Sequence, residues 1–114
     1  VSGLRLAIHV ARVHETPPAA SPLFTPTERE YCLARGEPEK SLAARYAAKR
    51  AAATLLGLDE EKLSEIEVAR EPGRPPSLTF SGEARRSAER LGLVDAQVSL
   101  SHSGNYAVAL VVIE

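Results

Sequence analysis

Aromatic side chains make up only 4% of this chain of 114 residues, and tryptophan and methionine are absent. A core built without them has to be aliphatic, and the hydrophobic content of 44% is enough to fill one with Val, Leu, Ile and Ala. The single cysteine, Cys32, excludes an internal disulfide and a four-thiolate metal site. It reads as a small core residue on a helix and fits a reducing cytosol. The net charge is −1, so no general attraction to nucleic acid is expected and any basic site has to be local. No apolar run reaches the roughly 18–20 residues of a membrane span. The opening VSGLRLAIHVAR also lacks the basic-then-apolar order of a secretory leader. These absences predict a single domain over 1–114, a cytoplasmic location, and neither nucleic acid nor membrane as partner.

What is present reads as α+β. Residues 4–13, LRLAIHVARV, alternate at period two, with Leu4, Leu6, Ile8 and Val10 on one face and Arg5, Ala7, His9 and Ala11 on the other. This is a strand, and His9 points away from its aliphatic row. The stretch HETPPAASPLF (14–24) holds three prolines and reads as a loop, with His14 at the surface. Thr25-Pro26-Thr27-Glu28 announces a helix: Thr25 as N-cap, Pro26 in the first turn and Glu28 completing a capping box. That helix should stop near Arg35 at Gly36. A second should start at Glu37-Pro38 and end after Leu56 at Gly57.

In the second helix Leu42, Tyr46, Ala53 and Leu56 follow helical spacing, interrupted by Lys49. The neighbouring stripe Ala43, Ala47, Arg50 and Thr54 is lined by small residues that let a backbone or a ligand come close. Beyond Gly57 the sequence predicts a short helical turn, a strand near Ile66–Arg70, a turn at EPGRPP and a strand at SLTF (77–80). An amphipathic helix over 83–91 should keep Arg85, Arg86 and Arg90 in solvent. Two closing strands, 96–102 and 105–113, are joined through Ser103-Gly104. The last is apolar on both faces, which places it centrally or in a subunit interface. The expectation is an antiparallel sheet packed against helices.

Three stretches, LFTPTEREYC (23–32), SLAARYAAKRAA (41–52) and VSLSHSGNYAVALVVIE (98–114), resemble the holo-acyl-carrier-protein synthases, the small trimeric 4′-phosphopantetheinyl transferases. The turn EPGRPPSLTF (71–80) resembles that family's G-[KR]-P segment, and the four stretches occur in the family's order over nearly the whole chain. The resemblance implies the 4′-phosphopantetheinyl transferase fold and a site between subunits of a trimer, here a homotrimer or a mixed one. It also implies coenzyme A as ligand and an acyl carrier protein as partner, whose serine receives the phosphopantetheine arm. Family members hold a magnesium ion with an aspartate of the first strand and the glutamate after A-A-K.

At those two positions this chain carries His9 and Arg50. Imidazole is a poor magnesium ligand and guanidinium is none. An arginine about 4 Å from a divalent ion would be repelled by roughly 8 kcal/mol at an effective dielectric near 20. No metal-binding residue is therefore expected here, and magnesium is not expected as a cofactor. The lysine four residues past the family's glutamate is Thr54, and an acidic residue near the end of the first strand is Arg12. The basic helix that docks the carrier protein is replaced by TPPAASP (16–22). Arg45, Lys49, Gly57 and His102 match the family pattern.

The resemblance thus makes Arg45, Lys49, Arg50, Thr54, Gly57 and His102 the candidate residues for coenzyme A. Arg50 could replace the metal by gripping phosphate oxygens bidentately, or it could lie on a plain solvated face. His102 could contact the phosphate end of the ligand or hydrogen-bond the following turn. His9 is either a neutral histidine in a polar cleft or a general acid or base. Three functions remain open: a coenzyme A or carrier-protein binder without the magnesium-dependent transfer, a repurposed enzyme acting on carrier-bound acyl or polyketide chains through His9, and a still active transferase.

Overall fold

Local capping chemistry sets the helix boundaries in the computed structural model, which describes residues 3–114; Val1 and Ser2 lie outside the described residues. Helix α1 spans Pro26–Leu33, and both halves of its capping box are made: the Glu28 amide donates to Thr25 Oγ1 at 3.2 Å and the Thr25 amide to Glu28 Oε1 at 2.9 Å. It ends two residues earlier than expected. Helix α2 spans Pro38–Leu56 and closes on Gly57, whose φ of 70° is the left-handed value that a side chain disfavours. Together the two helices meet the strands β1 (Arg5–Arg12), β2 (Ile66–Ala69), β3 (Ser77–Phe80), β4 (Ala96–Ser103) and β5 (Tyr106–Ile113), with α3 at Gly82–Arg90.

The strands form a three-stranded sheet in the order β1-β5-β4 and a separate β2-β3 pair, all antiparallel. Strand β5 is therefore central, as its apolar composition requires. The hairpin before it turns on Gly104-Asn105, one residue later than the Ser103-Gly104 of the sequence reading. Gly104 takes φ 57° at the first central position, the place such two-residue turns reserve for glycine.

Helix α2 lies on the sheet through alanine. Ala43, Ala47, Ala48, Ala51 and Ala52 are buried against a sheet face that carries Ala11, Ala107, Ala109 and Val111. Small residues on both sides let helix and sheet backbones approach, which suits a core with so few aromatics. Alternation usually turns the larger aliphatic row inward, and here it does the reverse. Leu4, Leu6, Ile8 and Val10 are each 59–70% exposed, while the Ala7, His9 and Ala11 row faces α2. Across the sheet, Ile8 pairs with Leu110 and Val10 with Val108, so the aliphatic row continues onto β5 as one outward apolar face. Cys32 is fully buried, and burial raises its thiol pKa. Among the described residues no helix is long and apolar enough to cross a membrane.

Candidate functional site

The residues singled out from the sequence separate into three places. Lys49 lies in the interior: it is 0% exposed and its Nζ meets Glu28 Oε1 at 2.5 Å. It interrupts the apolar stripe of α2 because that stripe packs over a buried carboxylate. Glu28 also accepts the Val68 amide at 2.8 Å through Oε2, so one side chain ties α1, α2 and β2 together. Burial pushes the Lys49 pKa down while the Glu28 charge opposes that shift. Enclosed in this way, the Lys49 ammonium faces the Glu28 carboxylate in the interior of the chain. Glu28 was legible from the sequence only as a cap.

The second place is a cluster on the β1 flank of α2. His9 Nε2 lies 3.3 Å from Thr54 Oγ1, and Thr54 Oγ1 donates to the Arg50 carbonyl at 3.0 Å. With the single hydroxyl proton committed to that carbonyl, the contact with His9 runs from the imidazole N–H to Thr54, leaving Nδ1 as the free acceptor. Burial, and then the Arg50 cation, hold the His9 pKa below the usual imidazole value. Arg50 is half exposed; its Nε lies 3.9 Å from Glu60 Oε1 and its guanidinium sits over the Tyr46 ring at 5.5 Å. Gly57 closes α2 one turn further on.

The third place is a cleft of about 420 Å³ on the β4 flank, bordered by Tyr31, Arg35, Arg45, Arg70 and His102, with Glu37 at its rim. Arg45 is only 4% exposed; its guanidinium stacks on Tyr31 at 4.4 Å and donates to the Ser41 carbonyl at 3.4 Å. Its Nε is the one buried side-chain nitrogen or oxygen without a hydrogen-bond partner among the described residues. Glu37 is engaged by Lys40 at 2.9 Å. The cleft therefore concentrates positive charge in a chain whose net charge is −1. Tyr31, Arg35 and Arg70 were not anticipated, since they come from α1, its C-terminal turn and the residue after β2, with no shared spacing to reveal them.

The cleft and the His9 cluster do not converge within one copy. Arg45 and Arg50 are five residues apart on α2, about 140° around the helix. His9 and His102 stand on β1 and β4, the two edges of the sheet, with β5 between them.

No protein-family model matches the chain. Among curated relatives, the holo-[acyl-carrier-protein] synthase of Anaeromyxobacter dehalogenans strain 2CP-1 is 38% identical over 123 aligned positions that cover 100% of this chain and 96% of the relative. The synthase of Moorella thermoacetica is 45% identical over 94 residues, 81% of this chain and 73% of the relative. The chain belongs to the holo-acyl-carrier-protein synthase family. Its fold matches the ACPS–CoA complex of Chronobacterium ammoniagenes at a TM-score of 0.82 and 22% identity, over 99% of this chain and 98% of that one. The α+β reading is thereby confirmed.

The magnesium ion implied by the family resemblance asks for an oxygen-rich shell. At the two synthase ligand positions stand an imidazole and a guanidinium, and the adjacent oxygen, Thr54 Oγ1, is already engaged by both residues. Among the described residues no three His, Cys, Asp or Glu side chains gather into a metal-holding group. This donor set does not fit the ion.

Proposed function

We propose that this synthase-family chain binds coenzyme A, or the phosphopantetheine arm of an acyl carrier protein, with Arg50 taking the place of the metal. The observation that carries the reading is the basic cleft, where the buried Arg45 holds an unpartnered Nε beside Arg35, Arg70 and His102. A buried cationic donor left unpaired is costly, and an anionic group of a ligand would satisfy it. Arg50 supplies a second, separate cation beside His9 and Thr54. The fold likeness to a coenzyme A complex supports the same ligand class. A cytoplasmic location follows from that ligand and partner.

Two half-sites on opposite flanks of α2 are completed when copies associate, so that the cleft of one faces the Arg50 cluster of the next. The outward row of Leu4, Leu6, Ile8 and Val10, continued by Val108, is the surface that would be covered. A trimer is the assembly proposed, of one chain type or mixed. Sedimentation should give a species of three chains, converted to single chains by Ile8→Lys; a parent protein that sediments as one chain contradicts this.

A second reading, an active phosphopantetheinyl transferase, is favoured by the 45% identity to a synthase. The two differ in a measurable way. Intact-mass analysis of an apo carrier protein incubated with this chain, coenzyme A and magnesium should show no added phosphopantetheine on the first reading. Modification that disappears with EDTA establishes the second.

A further inference from the structure

A half-exposed arginine is a flexible anion receptor, because its long side chain loses considerable rotamer freedom when it is fixed. In this molecule that freedom is already restricted. The Tyr46 hydroxyl donates to Glu60 Oε1, and the same carboxylate oxygen faces Arg50 Nε at 3.9 Å. The guanidinium also lies over the Tyr46 ring, with 5.5 Å between its carbon and the ring centroid. Tyr46 itself is only 9% exposed and belongs to the packed stripe of α2, so its ring and hydroxyl offer a fixed reference. From the backbone side, Thr54 holds the Arg50 carbonyl.

Glu60 and Arg50 taken alone make a weak pair, since both side chains are about half exposed and such pairs contribute little. The Tyr46 hydroxyl changes that by anchoring the carboxylate. Glu60 then faces the guanidinium at Nε, on one edge of the fork. Burial and the hydrogen bond to Glu60 both raise the Tyr46 pKa, so the hydroxyl keeps its proton and remains a donor at neutral pH.

We infer that Tyr46 and Glu60 are positioning residues that hold Arg50 in the orientation that receives a phosphate group of the ligand. The inference rests on the reading of Arg50 given above and adds to it the two side chains through which that arginine is pre-organised.

The test is a double-mutant cycle read by calorimetric titration with coenzyme A, using the parent protein, Tyr46→Phe, Arg50→Ala and the double variant. Tyr46→Phe removes one hydroxyl and changes no charge. It should weaken coenzyme A binding about fivefold when Arg50 is present and leave binding unchanged when residue 50 is alanine. A role confined to packing would give the same loss in both backgrounds, and that result overturns the inference. Parent-like binding by Tyr46→Phe overturns it too, as does parent-like binding by Arg50→Ala. In these cases coenzyme A binding by the parent still stands. A parent protein that fails to bind coenzyme A removes the underlying reading and the inference with it.

Discussion

Lys49→Met should lower the stability of the protein by about 3–5 kcal/mol, read from the midpoint and slope of urea unfolding. Methionine matches the length of the lysine stem, so cavity formation contributes little. The loss comes from Glu28, whose carboxylate stays fixed in the interior by the Thr25 and Val68 amides after its counter-charge is gone. Desolvating one unpaired charge outweighs anything the methionine gains by burial. Because Glu28 links α1, α2 and β2, the loss of its counter-charge is felt at three elements at once. A change below about 1 kcal/mol would mean that solvent reaches the pair, as in exposed ion pairs, and would contradict its burial.

Arg50→Glu should reduce coenzyme A affinity by at least about tenfold to a hundredfold, the range for losing hydrogen bonds to a charged group. Reversing the charge adds repulsion to the loss of donors. Arg50→Lys should fall between the parent and the glutamate variant, because lysine keeps the charge and loses the planar fork. The glutamate variant regains one of the two carboxylates of the family pattern, but His9 still occupies the other position. Magnesium is therefore not expected to rescue it.

Features written in a few adjacent residues were legible in the sequence. Thr25-Pro26 with Glu28, and Glu37-Pro38 with Gly57, marked helix ends because capping is a local matter. The orientation of β1 was not legible in the same way. Alternation separates Leu4, Leu6, Ile8 and Val10 from Ala7, His9 and Ala11, but it does not say which row a helix covers. Here the alanine face of α2 decides, since it needs small residues opposite it. Lys49 was visible as an interruption in an apolar stripe, yet its partner Glu28 lies 21 residues earlier on another helix. Its neighbour Arg50, next in sequence, turns out toward solvent, because one step along a helix rotates a side chain by about 100°. The site shows the same division: the positions of His9, Arg50 and Thr54 could be read from motifs. Tyr31, Arg35 and Arg70 are brought to Arg45 only by tertiary packing.

We propose that a guanidinium binds the ligand's phosphates where the family's pattern places a metal ion. Calorimetric titration with coenzyme A in magnesium and again in EDTA, for the parent protein and Arg50→Glu, addresses it most directly. The parent should show one dissociation constant in both buffers, and Arg50→Glu should bind at least about tenfold more weakly. Parent binding that weakens on chelation, or Arg50→Glu that binds as the parent does, would contradict it.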